Sequence, residues 1–265
     1  MKSKISFLSS VGLAVAVCFV VLPVFTQAQE QKAQAYLMWD YVVKPSMAKE
    51  FEAATIEENG LFAGIKFPYG WTAYSTEDFH YYFFIPIRNF AAIDGIYAAF
   101  GQAETQLGEN YKTLEKRLEG SYEYFRAAVV YLRPDLSYTP AKQNIKPEES
   151  NYIFFEFAHI LPGKVKEFEA YYKEWAALCQ KIGFHIGYAA YQGDIGTDMP
   201  FYFSAMSAKT QADTSIEEER IMKLLSQEEK EELGAAYEKA FAYFKKYETK
   251  NGRSRPDLSY TPRAK

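Results

Sequence analysis

The stretch Arg-Pro-Asp-Leu-Ser-Tyr-Thr-Pro stands at Arg133–Pro140 and again at Arg255–Pro262. Weaker matches precede each copy in the same order. Tyr36-Leu-Met-Trp-Asp-Tyr41 answers to Tyr152-Ile-Phe-Phe-Glu-Phe157 at an offset of 116 residues, and Lys49-Glu-Phe-Glu-Ala53 to Lys166-Glu-Phe-Glu-Ala170 at 117. Gly70-Trp-Thr-Ala-Tyr74 matches Gly187-Tyr-Ala-Ala-Tyr191 at 117, and Tyr82-Phe83 matches Tyr202-Phe203 at 120. The chain therefore reads as an internal duplication, with a first repeat over 29–140, a linker over 141–150 and a second repeat over 151–265. The period is too long for a solenoid, so each repeat is domain-sized.

Within a repeat the first segment alternates and is rich in aromatics, the pattern of a strand with two differently buried faces. Leu37, Trp39, Tyr41 and Val43 share one face, and Tyr36, Met38 and Asp40 the other; in the second repeat the sets are Ile153, Phe155, Phe157, His159 and Tyr152, Phe154, Glu156. Pro45 or Pro162 then opens a helix, a position where its missing N–H costs nothing. Val165, Phe168, Tyr172, Trp175, Cys179 and Ile182 recur at steps of three and four, one stripe of an amphipathic helix. The matching stripe in the first repeat carries Glu58 where the second has Trp175. Either Glu58 points inward, or, as preferred here, the helix is rotated so that Met47, Phe51, Ala54 and Leu61 make the contact.

Tyr69–Ser75 with His80–Ile87, and Ile186–Gln192 with Phe201–Ser207, read as hairpins. A helical region follows each, marked by Leu114, Leu118, Tyr122, Phe125 and by Leu233, Tyr237, Phe241, Phe244, with Ser226 and Glu229 as a capping box and Asn251-Gly252 as a helix stop. The repeated octapeptide is then the last, short extended piece of each repeat, set off from the helix by its proline. The identity of the two copies reads as structural closure, with Leu136 or Leu258 plugging the core. The order is β-α-β-β-α-β, and the fold class is α+β.

That order is the ferredoxin-like split unit. Two in tandem, with Pro162-Gly163-Lys164 leading into the first helix, resemble the dimeric α+β-barrel superfamily, in which two four-stranded sheets face each other around a lumen. The resemblance covers nearly the whole chain after residue 28. It implies a pseudo-dimeric barrel and places the chain among relatives that include cofactor-free monooxygenases, haem-dependent enzymes, small isomerases and NIPSNAP-like proteins. It does not imply one reaction.

The N-terminus has Lys2 and Lys4, an apolar run from Ile5 to Phe25, and small-residue exit Thr26-Gln27-Ala28. Met1–Ala28 reads as an export signal cleaved to leave no stable membrane anchor, with an uncleaved anchor as the alternative, and the expected location is periplasmic or secreted. Without Lys2 and Lys4, 28 basic residues stand against 34 acidic ones, a net charge of −6 that argues against a nucleic-acid partner. Cys179 is the single cysteine left, so no intramolecular disulfide can form, and its place on an apolar helical face reads as an inert core thiol.

If the first helix covers the more apolar strand face, Tyr36, Met38 and Asp40 look into the space between the sheets together with Tyr152, Phe154 and Glu156. Asp40 and Glu156 would then share one aromatic-lined cavity, where mutual repulsion and desolvation make an acid–base pair. The alternative is that each accepts hydrogen bonds from a neighbouring Tyr or Arg. Trp71 and Tyr188, equivalent across the repeats, extend the ligand-binding set with an undetermined facing direction. His159 and His185 are the candidates for an axial haem ligand, while the spacing of the three histidines excludes a metal pair on one helix face. No cofactor is specified. The sequence thus points to an exported protein that binds a small apolar or aromatic molecule, with acid–base catalysis as a further step and homo-oligomerisation open; the alternatives are a non-catalytic envelope module that meets protein or glycan, and a haem-binding barrel.

Overall fold

A computed structural model describes residues 34–141, 145 and 149–262. Met1–Ala28, read above as an export signal, and most of the 141–150 linker lie outside the described residues. Strand β1 (Ala35–Val43) leads through a 3-10 turn at Pro45–Met47 into helix α1 (Ala48–Ile65). Strands β2 (Thr72–Thr76) and β3 (His80–Ile87) form a hairpin, followed by α2 (Ala91–Leu107), α3 (Glu109–Ser121) and β4 (Tyr122–Leu132). The same succession returns as β5 (Tyr152–Ile160), α4 (Val165–Ile182), β6 (Tyr188–Gly193), β7 (Phe201–Ala208), α5 (Gln211–Leu224), α6 (Gln227–Phe241) and β8 (Phe244–Ser254).

The eight strands close into one antiparallel barrel in the order β1-β3-β2-β8-β5-β7-β6-β4. Closure runs through two seams, β2 with β8 and β4 with β6, which join the earlier strands to the later ones. Closure removes the exposed strand edges that a pair of open sheets would carry. Helices lie against the outer wall. Their ends follow local chemistry: α1 stops at Lys66 and α4 at Gly183, both left-handed at φ 56° and 63°. The Ser226–Glu229 capping box is present, with Glu229 N–H donating to Ser226 Oγ at 3.2 Å.

The barrel interior is filled by side chains. Met38, Tyr82 and Phe84 meet Ile153, Phe155, Phe157 and Phe203 there, and the Tyr82 and Phe157 rings stand 5.9 Å apart. This corrects two expectations. There is packed aromatic core where a lumen was expected. And while Tyr36, Met38 and Asp40 are on the inner side, Tyr152, Phe154 and Glu156 are on the outer, helix-covered side, with Ile153, Phe155 and Phe157 inside. The cause is a one-residue slip: β1 and β5 correspond at 117, not 116, and in a strand a slip of one residue exchanges the faces.

A third correction concerns the fourth strand. Residues read as helix run on only to Ser121 and Phe241; β4 follows at once and β8 after Ala242 and Tyr243, eleven residues each. Asn251-Gly252 lies within β8, where Gly252 comes so close to the Ser75 carbonyl that an added Cβ would sit 2.5 Å from it.

The octapeptide therefore follows the last strand instead of forming it, and each copy reaches over the adjacent seam, β4 to β6 and β8 to β2. Arg133 N–H donates to the Ala190 carbonyl at 2.8 Å, its guanidinium to Glu169 at 2.6 Å, and Ser137 Oγ accepts from Ala190 N–H. Tyr138 bridges Tyr188 and donates its hydroxyl to the Phe184 carbonyl at 2.6 Å. The second copy makes the mirror set: Arg255 to Ala73 and Glu52, Ser259 to Ala73, Tyr260 to Trp71 and to the Phe67 carbonyl. Leu136 and Leu258 are fully buried, each in the core it crosses to.

Candidate functional site

Two chambers lie between the barrel wall and the helices, one under α1 and α3, one under α4, α5 and α6. The first encloses about 260 Å³. The stripe Phe51, Ala54, Thr55 and Phe62 turns one face of α1 to the wall, and Glu58 falls within it. Glu58 thus points inward, against the preferred rotation. Burial pushes its carboxyl up to about 7, although the Tyr111 hydroxyl, donating at 3.2 Å, works in the other direction, and Glu115 adds repulsion. Trp39, Tyr41, Phe100 and Phe125 form an aromatic wall, and the Trp39 indole N–H is buried with no hydrogen-bond partner.

The second chamber is larger, about 410 Å³. Glu156 stands on its wall, accepting from the Tyr247 hydroxyl and from Ser204 Oγ at 2.9 Å. Tyr188 also lines it, and its hydroxyl is buried without a partner; burial raises the Tyr188 pKa, with the nearby Cys179 and Glu156 adding to the effect. Trp175 on α4 completes the comparison. Trp39 and Glu156 are both fifth in their strands, and Glu58 and Trp175 both eleventh in their helices. At these two paired positions each chamber therefore has a carboxylate and an indole, with strand and helix exchanged. Among the residues that line either chamber there is no Lys, Arg or His.

Asp40 is elsewhere. It lines a third cavity, about 330 Å³, at one mouth of the barrel, with Met38, Tyr82 and Phe157 as floor. It is 5% exposed and held by Arg126 at 2.6 Å and by His80 Nδ1 at 2.7 Å. The inward row of β8, Lys246, Glu248 and Lys250, lines another side of this rim, and Lys250 is paired with Asp78. Asp40 and Glu156 thus do not share a cavity: the barrel wall separates them.

The remaining sequence candidates divide between these places. Tyr36 packs on the interior cluster, with its ring 6.1 Å from Tyr191. Tyr152 donates its hydroxyl to Asn251, and Phe154 lines the second chamber. Trp71 lines the first chamber on the helix side, its indole N–H donating to the Leu258 carbonyl at 3.0 Å. His159 is on the barrel mouth, its Nδ1 3.3 Å from the Asp198 carbonyl oxygen. His185 lines none of these three cavities; its ring is 3.5 Å from Glu217. A haem held through histidine therefore does not fit either aromatic chamber, whose linings offer neither an imidazole nor a cation for its propionates. Cys179 is buried, and burial pushes its thiol up to about 12, an unreactive state.

Tyr111, Ser204 and Tyr247, which set the surroundings of the two chamber carboxylates, were not singled out from the sequence. Tyr111 and Tyr247 belong to segments whose apolar spacing conveys only that they are helical or packed. Nothing in a linear pattern tells which hydroxyl meets which acid.

No protein-family model matches the chain, and a search of curated proteins finds no match. Solved structures do resemble it. An anthrone oxidase-like protein superposes with a TM-score of 0.56 at 19% identity, covering 85% of this chain and 92% of that one. A candidate monooxygenase from Lactobacillus acidophilus gives 0.50 at 10% identity, covering 87% and 97%. A chlorite dismutase variant from Candidatus Nitrospira defluvii gives 0.51 at 9% identity, covering 84% and 92%. These are dimeric α+β barrel proteins, and at such identities the likeness is one of fold.

Proposed function

We propose that this chain binds small, flat, uncharged aromatic molecules and acts on them by proton transfer, with the first chamber as the working site and Glu58 as the base. The observation that carries this is a carboxyl held near neutrality by burial in an aromatic-walled cavity without a basic side chain. A group with a pKa near the working pH is the most effective general base, since it is partly deprotonated yet still basic. Aromatic walls accept a flat ring by offset or edge contacts. The absence of lining cations disfavours carboxylates and phosphates. A ligand with an acidic C–H or O–H would pass that proton to the Glu58 carboxylate, leaving the negative charge delocalised over its own rings. The anthrone oxidase-like neighbour supports a ligand of this kind.

The experiment uses anthrone as probe with wild type and Glu58→Gln. Wild type is expected to bind it and to develop the absorbance band of the deprotonated ring as pH rises through 7, and Glu58→Gln to bind without the band. Absence of binding, or an identical band in both proteins, overturns the reading.

The architecture is read in the same spirit as a fused pair of ferredoxin-like units that arose by tandem duplication, over 29–140 and 151–265. The paired contacts of the two octapeptides, matched partner for partner, support it. Export through Met1–Ala28 is proposed from the sequence, and the mature N-terminus of the secreted protein, read by mass spectrometry, tests it.

A further inference from the structure

We propose that the second chamber is a separate binding site for hydrophobic cations, an amine or quaternary ammonium group carried on an aromatic or alkyl body. The reading does not depend on acid–base work in the first chamber.

The lining explains the preference. Two carboxylates, Glu156 on β5 and Glu218 on α5, face this cavity of about 410 Å³, and no basic side chain accompanies them. A ligand anion would meet two like charges and no cation. A cation would meet the opposite situation. Each Glu156 oxygen accepts one hydroxyl hydrogen bond, from Tyr247 or Ser204, and a carboxylate oxygen has room for a second donor. The group is thus positioned by the protein while retaining acceptor capacity.

Around it stand ring faces. Phe244 and Tyr247 stack at 5.1 Å, and Phe241 meets both edge-on at 5.7 Å. Tyr171, Tyr172 and Trp175 of α4 close the other side. The negative faces of aromatic rings attract a desolvated ammonium, indole most strongly. The apolar remainder of the lining, with Met222 and Leu233 among it, suits the body of such a ligand. The unpartnered Tyr188 hydroxyl offers an additional acceptor.

The two chambers differ in what their carboxylates can do. In the first, burial keeps the acid partly protonated around pH 7, which favours uncharged ligands. In the second, two hydroxyl donors are committed to the acid, which leaves it as an acceptor. Exchange of the indole and the carboxylate between strand and helix thus gives one fold two ligand chemistries.

The test is calorimetric titration of the full chain with benzyltrimethylammonium, with its uncharged isostere neopentylbenzene, and with benzoate. Wild type is expected to bind the cation at least about tenfold more tightly than the isostere and not to bind benzoate. Glu156→Gln should abolish that preference, Trp175→Leu should weaken the cation about tenfold, and Glu58→Gln should leave cation affinity as it is. Equal affinity for cation and isostere overturns the proposal. So does a preference that survives Glu156→Gln, or one that disappears in Glu58→Gln, which would place the ligand in the first chamber. Should Glu156→Gln fail to fold, the comparison of ligands on wild type together with Trp175→Leu decides, and an unchanged cation affinity in Trp175→Leu refutes the site.

Discussion

Glu58 stands at the eleventh position of α1 and Trp175 at the eleventh of α4, so one place in the architecture holds an inward-facing, half-buried acid on one side of the barrel and an indole on the other. That difference has consequences for stability as well as for binding.

Glu58 should make stability depend on pH. Its folded pKa, about 7, lies above its ordinary value of 4.5, so between those values the folded chain holds a proton that the unfolded chain has released. Stability then falls as pH rises through this window, by on the order of 3 kcal/mol in all, and the full penalty is present above pH 7. Glu58→Gln removes this contribution. Melting temperatures of wild type and variant, measured from pH 4 to pH 8, should diverge upward in pH with the variant the more stable at pH 8.

The two arginines of the octapeptides should differ in weight. The Arg255 side chain is 6% exposed and tied to Glu52 and Asp257, whereas the Arg133 side chain, tied in the same way to Glu169 and Asp135, is 17% exposed. Arg255→Ala takes the nearer of its two cations from the half-buried Glu52, leaving Arg253 at 3.6 Å, and should cost about 1–3 kcal/mol. Arg133→Ala should cost about half as much. Urea unfolding of both variants gives the order directly, and a larger loss for Arg133→Ala would contradict it.

Gly70 and Gly187 lie where the crossing segments press closest. A Cβ on Gly70 would sit 2.7 Å from the Tyr260 carbonyl oxygen, and one on Gly187 2.9 Å from that of Tyr138. Backbone cannot yield as a side chain does, so Gly70→Ala and Gly187→Ala should each destabilise by roughly 1–3 kcal/mol. Proteolysis within 255–262 or 133–140 respectively should become faster, which distinguishes a lifted segment from general weakening.

Cys179 should be silent in the folded protein. With its thiol raised to about 12 and its side chain buried, labelling by a disulfide reagent at pH 8 should be undetectable over minutes and immediate in urea. Rapid native labelling would show that the second chamber opens to the depth of α4.

Much of this architecture was legible in the chain. The octapeptide pair, the hairpins, the apolar stripe of α4 and the Ser226–Glu229 cap are local patterns, and local patterns report local structure. What failed depended on distance or on parity. Aligning Tyr36 with Tyr152 by identity slipped the strands by one residue, enough to bring Glu156 to the wrong side of the wall. β8 carries five charged residues in eleven, Lys246, Glu248 and Lys250 among them facing the barrel mouth, so no apolar alternation announced it. Glu58 fitted its helical stripe, yet a carboxylate on a buried face looks like an error until Tyr111 is brought beside it from another helix. The chambers were unforeseen because they are made by what lies between layers, and a sequence describes the layers.

The crossing of the octapeptides also sets an order in time. Trp71 and Ala73 acquire their partners from residues 255–260, almost two hundred positions later in the chain. During synthesis the early hairpin must therefore remain unlatched until the late segment leaves the ribosome. Of the two clasps the first has its backbone partners within residues 184–192 and the second closes last, so a nascent chain interrupted before residue 255 would hold a barrel fastened at one seam only.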